Sequence, residues 1–364
     1  MKKTICLLTI LILLFCGCAG QTAQTSNTLP SENDTQKAPP FTLQMIDVGQ
    51  GLCLLIEADD HYMIYDGGGR DHSSFIVSYL TRELGIDHID LMIASHYDED
   101  HIAGLNGILH TIAVDQVICP DYYSDTQIYQ SFIHAIEDRN ISMIHPETGD
   151  TFTVGGAKIE ILNDGKNETE SENDRSIACK VSYQTTSTLI TGDCEESAEK
   201  QMLSSDMSLD SDIYVAGHHG SATSSTKEFL QAVSPEVVMV SCGIDNTYGH
   251  PAEAMLDRIA SLNAKLYRTD RQGTIIMHAD QNSYWFEKEP ADDWTPGQFI
   301  EETKELPAAS GEYKYILNTN SKLIHLPDCD SVKKMSEKNK EYTNRDIESL
   351  KESGYRPCHN CNPE

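Results

Sequence analysis

The chain has 364 residues, 57 of them acidic and 27 basic, for a formal net charge of −30. That length allows a sizeable core and two domains. The charge repels polyanions at long range and argues against a general nucleic-acid-binding module, which needs a cationic surface. Bound divalent cations would offset few of these charges, but they would do so locally.

The first segment is predicted to direct export. Lys2 and Lys3 precede ICLLTILILLF, an apolar run that stops near Phe15. A membrane-spanning helix needs about 20 apolar residues, whereas a signal-peptide core is shorter. The FCGCAG that follows resembles the lipobox of bacterial lipoproteins, which implies cleavage after residue 17 and a lipidated Cys18. Phe15 and Cys16 depart from that pattern, and plain secretion or an uncleaved anchor are the alternatives. Residues 19–40, rich in Thr, Gln, Ser, Asn and Pro, are predicted to form a disordered tether.

A globular pattern begins at Phe41. FTLQMI and LCLLIEA are predicted strands, with DVGQG as the turn between them. HYMIYDGGG is a strand ending in a glycine-rich turn, SSFIVSYLTREL an amphipathic helix, and IDLMIAS an apolar strand entering a polar loop. A helix is expected from Gly104 to Ile112. TFTVGGAKIEIL forms a hairpin, and ACKVSYQTTSTLITGD two strands around a turn. EESAEKQML is a helix whose acidic start suits its N-terminus. DIYVAG is a strand leading into HHGS; STKEFLQAV, VVMVSCG and AEAMLDRIASL are helix, strand and helix; KLYRTD, GTIIMHA and SYWFEKE are closing strands. Two β-then-α halves predict an α/β (α+β) fold of two sheets with helices outside, an αββα sandwich over 41–288. Residues 289–310 lack periodicity and are predicted to be a linker to a small domain at 311–364. Cys53, Cys119, Cys179, Cys194 and Cys242 are spaced singly, as buried free thiols would be, although export permits a disulfide or two.

ASHYDEDHIAG carries the strongest chemical signal. His96, Asp98, Asp100 and His101 crowd the end of an apolar strand, and imidazole with carboxylate suits Zn, Mn or Fe. A solvated acidic loop would explain the carboxylates but not two histidines. Asp66 ends MIYDGGG, Asp193 ends TLITGD, and His218 and His219 end DIYVAGHHGS. Each alone could be a turn or cap residue; together, each at a strand end, they point to one metal centre.

With these motifs in hand, the chain resembles the metallo-β-lactamase superfamily, whose defining loop is His-x-His-x-Asp-His. More narrowly, DVGQG, IYDGGG, SHYDEDH, ITGD, HHGS and YGHP, in that order over about 41–288, resemble the hydrolase domain of the ComEC family of competence DNA-uptake proteins. That family's membrane channel has no counterpart here. The resemblance implies one metal site from Asp100, His101, Asp193 and one histidine of the 218–219 pair, and another from His96 and Asp193, with Asp193 bridging. Two departures stand out. Asp98 replaces the second loop histidine, and the histidine expected before the Asp193 strand is absent, leaving Asn173 or Asp174 in NDRS as candidate replacements. Both favour harder ions such as Mn²⁺, or one tight and one loose ion, so one or two divalent ions (Zn or Mn) are expected. Asp100 is expected to orient a metal-activated water and His250 in YGHP to stabilise or protonate a leaving group, unless His250 is only a turn residue. Ser221 and Gly220 would shape the pocket. Asp66 is expected to brace the histidine loop, and Asp47, with Gln50, to support the turn.

At the C-terminus, His325, Cys329, Cys358 and Cys361 form a Cys₃His set suited to one structural Zn²⁺. A segment this short needs such a staple. YILNTNSKLIHLPDC and GYRPCHNCNPE resemble the zinc-binding N-terminal domain of the Ada DNA-repair methyltransferase, with His325 at its first cysteine position. That departure implies a structural or adaptor module rather than a repair centre. The leading expectation is an extracytoplasmic hydrolase, of phosphodiesters before β-lactams or thioesters, lipid-anchored to the outer face of the cell membrane or secreted. Extracellular DNA or nucleotides are its candidate partners. The alternative is a non-catalytic cell-surface DNA-binding lipoprotein.

Overall fold

The structure, a computed structural model, describes residues 38–166, 171–298, 313–319, 321–335, 339–352 and 355–363. The export segment with Cys18, nearly all of the tether and most of the expected linker lie outside the described residues.

Strands β1 (Phe41–Met45), β2 (Leu54–Ala58), β3 (His61–Tyr65), β4 (His88–Ile93), β5 (Ala113–Ile118) and β6 (Ser142–Ile144) make the first half, with helices α1 (Ser73–Ser78), α2 (Glu99–Thr111) and α3 (Gln127–Asp138). The second half has β7 (Thr151–Val154), β8 (Ala157–Asn163), β9 (Ala178–Tyr183), β10 (Thr186–Ile190), β11 (Ile213–Val215), β12 (Val237–Val240) and β13 (Lys265–Arg268). Its helices are α4 (Glu196–Ser204), α5 (Lys227–Val233) and α6 (Glu253–Ser261). The chain then crosses back: β14 (Ile275–Ala279) and β15 (Tyr284–Phe286) extend the first sheet, whose order is β15-β14-β1-β2-β3-β4-β5-β6, beside a second of order β13-β12-β11-β10-β9-β8-β7.

Alternation within strands sorts the side chains into layers. In β2 and β4, Leu54, Ile56, Leu91 and Ile93 join Ile159, Val181, Val215 and Met239 in a core shared by the two sheets. Leu55 and Met92 face the other way and pack with Ile102, Leu105 and Phe132 of α2 and α3. Across the second sheet, Leu189, Tyr214 and Val238 pack with Ala198, Phe229 and Ile259 of α4 to α6. Helices therefore cover both outer faces, and the predicted αββα sandwich is the observed architecture. Tyr65 Oη donates to Ile177 O at 2.6 Å, tying one sheet to the other.

Three details correct the sequence expectations. The helix predicted from Gly104 starts five residues earlier, at Glu99. Asp98, in extended backbone, accepts from His101 N and Ile102 N, and Glu99 and Asp100 occupy the first turn, where negative charge is favourable. Residues 113–144, which carry no motif, supply β5, α3 and β6. The described part of the expected linker is packed: Ala291 and Trp294 lie against the α4–α6 core, and Gly297 N donates to Pro251 O. Buried Arg268 holds it there, donating to Asp293 O and Thr295 O.

The start of α2 rests on the glycine turn after β3. Gly67 N donates to His101 O at 2.7 Å and Gly104 N to Gly68 O at 3.0 Å. A Cβ at Gly104 would lie 1.8 Å from Gly67 O, which is backbone and cannot swing aside. Gly104→Ala is expected to destabilise the protein by about 3 kcal/mol or more. Urea unfolding checks this; an unchanged midpoint would show that the contact is slack.

Near the C-terminus, β16 (Tyr315–Asn318), β17 (Leu323–His325), β18 (Lys340–Thr343) and β19 (Arg356–Pro357) form a small sheet of order β18-β16-β17-β19. Among the described residues its apolar core is small: Tyr315, Leu317, Ile324, Leu350 and Tyr355, flanked by Leu326 and Ile347, with a second patch of Ile316 and Val332 around Cys329 and Cys358.

Candidate metal centre

The parallel arrangement of β3, β4, β10 and β11 brings their C-terminal ends to one rim, and the candidate ligands sit on the turns that follow. His96 comes from the loop after β4, Asp100 and His101 from the first turn of α2, Asp193 from the turn after β10, and His218 and His219 from the turn after β11. His96, His101 and Asp193 group together, as do Asp100, His101 and His219.

The distances suit a cation. His101 Nε2 lies 3.2 Å from His219 Nε2 and 3.2 Å from Asp193 Oδ1. His219 Nε2 lies 3.3 Å from Asp100 Oδ2 and 3.5 Å from Asp193 Oδ2. Four ligands about 2.05 Å from one ion stand roughly 3.3 Å apart. His96 Nε2 and Asp193 Oδ1 are buried without a hydrogen-bond partner, an expensive arrangement unless something else satisfies them. Residues present and geometry thus fit a divalent ion. His96 Nε2 also lies 3.6 Å from Asp98 Oδ2, although Asp98 is half-exposed.

The bracing around the rings is specific. Asp66, fully buried, has Oδ2 2.8 Å from His101 Nδ1 and accepts from Ser95 N and Ser95 Oγ, each at 2.7 Å. His219 Nδ1 faces Ser241 O at 3.1 Å, so its Nε2 faces the centre. Ring nitrogens fixed from behind in this way have set tautomers. His218 is placed differently. Its Nε2 is 3.8 Å from Asp193 Oδ2, while its Nδ1 is 3.2 Å from Glu195 Oε1. Both histidines adopt left-handed backbone (φ 50° and 55°), and their rings diverge, 70° between planes.

Asn173 and Asp174 are not brought into the cluster. Asp174 Oδ1 accepts from Glu195 N and Ala198 N at the start of α4, and so is committed to the helix end. Ser176 stands at the centre instead: its Oγ accepts from Asp193 N at 3.1 Å and lies 3.3 Å from His96 Nδ1. Sequence reasoning missed Ser95, Ser176, Glu195 and Ser241, since a serine or glutamate beside a ligand has no spacing signature. Asp47 is a turn residue, its Oδ1 accepting from Gly49 N, and Gln50 Oε1 accepts from Gly243 N.

Electrostatics tie the cluster to protons when no metal competes. Burial alone would push His219 down, but the Asp193 charge and contacts with Asp100 and Asp193 lift it to about 10. His101 is raised well above its ordinary value, against its burial, by Asp193, Asp66 and Asp100. Asp193 is held well below the carboxylate range, again against burial, by His101 and His219. Burial, with the charges of His219 and His218, pushes His250 down to about 4. For His219, with an unfolded value of about 6.5, the stabilisation is complete below that pH and is lost as pH rises towards 10. Metal-free protein should therefore lose thermal stability from pH 6.5 upwards. A divalent ion needs the neutral rings, so the Tm gap between metal-loaded and metal-free protein should widen over that window. Calorimetry with and without chelator measures it; a gap that narrows with pH would count against a shared site.

In the C-terminal sheet, His325, Cys329, Cys358 and Cys361 come together. His325 Nδ1 is 3.5 Å from Cys329 Sγ, and Leu326 N donates to Cys361 Sγ at 3.4 Å. This donor set fits zinc. The described cysteines form no disulfide, and the five of the sandwich are buried thiols.

Comparison with known proteins agrees with this geometry. Residues 46–244 match the metallo-beta-lactamase superfamily. The chain is 25% identical over 251 residues to "ComE operon protein 3" of Bacillus subtilis, a match covering 64% of this chain and 32% of that one. It is 29% identical over 231 residues to "Competence protein ComA" of Neisseria gonorrhoeae, covering 63% and 31%. The chain thus spans about a third of the length of the curated relatives it matches. Among solved structures, the metallo-beta-lactamase fold protein YhfI of Bacillus subtilis aligns with a TM-score of 0.44 at 12% identity, over 68% of this chain and 99% of that one. Two sheets that meet at a rim of imidazoles and carboxylates, over a stretch that matches as a unit, place this chain in the metallo-beta-lactamase superfamily, among relatives of the ComEC type.

Proposed function

We propose that this protein is a metal-dependent phosphodiesterase that cleaves nucleic acid or nucleotides outside the cytoplasm. The convergence of His96, Asp100, His101, Asp193 and His219 on one cation-sized space carries the reading. The competence and recombination proteins among its relatives favour phosphodiesters over β-lactams. With Asp98 beside His96 Nε2 and Ser176 beside His96 Nδ1, rather than further imidazoles, the group around His96 is poorer in nitrogen, which favours an oxygen-preferring ion such as Mn²⁺. Such an ion supplies a water that ionises near neutral pH and a Lewis acid for a phosphoryl oxygen.

The chain's own residues do the rest. Asp66 holds His101 in one tautomer, Asp193 reaches from the group around His96 towards His219, and Asp100 orients the attacking water. His250, neutral at physiological pH, stabilises the leaving oxygen by hydrogen bonding rather than by giving up a proton. Lys2, Lys3, the apolar run and Cys18 favour export and a lipid anchor.

The test is turnover of a chromogenic phosphodiester, single-stranded DNA, a β-lactam and a thioester, each with Mn²⁺ or Zn²⁺. Phosphodiester turnover that falls about 10³-fold in Asp100→Ala and His101→Ala, with the fold retained, supports the proposal. Turnover confined to the β-lactam or thioester would replace it, and turnover of nothing would point to a binding protein.

A further inference from the structure

Beside the metal centre, residues 243–250 form a loop without regular secondary structure, yet it is rigidly stapled. Asn246, 8% exposed, donates through Nδ2 to Gly243 O and His250 O and accepts through Oδ1 from Tyr248 N and His250 N. This staple holds two apolar side chains out in water: Ile244 is 65% and Tyr248 62% exposed. The Tyr248 ring lies nearly parallel to His250, 25° between planes and 5.7 Å between centroids, with His250 in turn near His218 and His219. Tyr248 also lines a cavity of about 460 Å³ with Asp100, Glu99 and Arg70. Arg70, the only Lys or Arg in that lining among the described residues, is exposed and paired with Glu99 at 3.1 Å.

From this geometry we propose that Tyr248 is the stacking platform for a nucleobase flanking the scissile phosphodiester, with Arg70 reaching the neighbouring phosphate. The inference rests on the phosphodiesterase reading and names its substrate class, single-stranded nucleic acid. A flat aromatic face fixed beside a metal centre binds any base with little sequence preference, and a guanidinium fork suits a phosphate. Besides Arg70 and His72, the ionisable side chains of that lining are carboxylates (Asp71, Glu99, Asp100), so the groove does not hold polyanions by charge alone. Base stacking supplies the discrimination that a simple phosphate site lacks, and an unstacked single strand exposes the required face.

The experiment compares a fluorescent oligothymidylate with an abasic phosphodiester oligomer of equal length and charge, on the full soluble chain loaded with Mn²⁺. Both anisotropy and cleavage are recorded. The wild type is expected to favour the base-bearing strand roughly 10-fold in Kd and in kcat/KM. Tyr248→Ala should collapse that ratio towards one and Tyr248→Phe should keep it, while Arg70→Ala weakens both strands alike. Cleavage with an unchanged ratio in Tyr248→Ala overturns the platform and leaves the hydrolase reading standing. A base preference in binding that Tyr248→Ala removes, without any cleavage, supports the platform while the hydrolase reading falls.

Discussion

Replacing Asp193 by alanine is expected to lower phosphodiester kcat/KM by at least about 10³-fold and to deplete bound metal from the main domain. Each carboxylate oxygen faces an imidazole: Oδ1 stands 3.2 Å from His101 Nε2, and Oδ2 stands 3.5 Å from His219 Nε2. Asp193 thus belongs to the group around His96 and also faces His219 through its second oxygen, whereas His101 meets both through the single atom Nε2. The substitution leaves the Asp193 N–H to Ser176 Oγ bond in place, so the turn after β10 should persist and circular dichroism should be unchanged. His218→Ala makes the useful contrast. That ring faces Glu195 at the margin of the centre, 3.8 Å from Asp193, and its loss should cost roughly 10-fold in rate with metal content nearly kept. Metal analysis and steady-state kinetics on both variants decide the matter. Full metal content in Asp193→Ala would remove the bridging role.

The C-terminal zinc set should behave as an independent folding staple. Cys361→Ser is expected to lose one equivalent of zinc and the protease resistance of residues beyond 313, while metal loading and activity of the main domain stay within about twofold. The reason is the size of the core: among the described residues its buried apolar side chains are Tyr315, Leu317, Ile324, Leu350 and Tyr355, with Ile316 and Val332 in a separate patch around the cysteines, too few to offset the ordering entropy of the segment unaided. Burial of the Cys329 thiol opposes ionisation, but contacts with His325 and Cys361 overcome it and draw the group down to about 6, so a thiolate is ready for the metal near neutral pH. Limited proteolysis, zinc stoichiometry and Co²⁺ absorption of the variant provide the readouts. A Cys361→Ser protein that keeps its zinc and its resistance to protease would refute the staple.

Much of the fold was legible because its signals are local. Short apolar-ended strands such as HYMIY and TSTLI, followed by the Asp- and Gly-containing turns DGGG and TGD, announce a sheet whose strand ends carry the chemistry. The αββα layers and the family followed from the order of those runs. The segment with β5, α3 and β6 escaped because it carries no ligand motif. The packing of 289–298 escaped because its anchor, Arg268, is remote in sequence and binds backbone oxygens, which leave no side-chain pattern.

By itself the sequence determined the kinds of ligand, their place at strand ends and the Cys₃His spacing, since these depend on residue type and short-range periodicity. Tertiary structure alone decided which groups meet. Left-handed backbone at two consecutive residues turns His219 inward and His218 towards Glu195. Competition for Asp174 by the N-terminus of α4 takes that carboxylate away and leaves Ser176 beside Asp193. Those outcomes depend on how distant segments satisfy buried polar groups at the same rim, and no window along one chain contains that information.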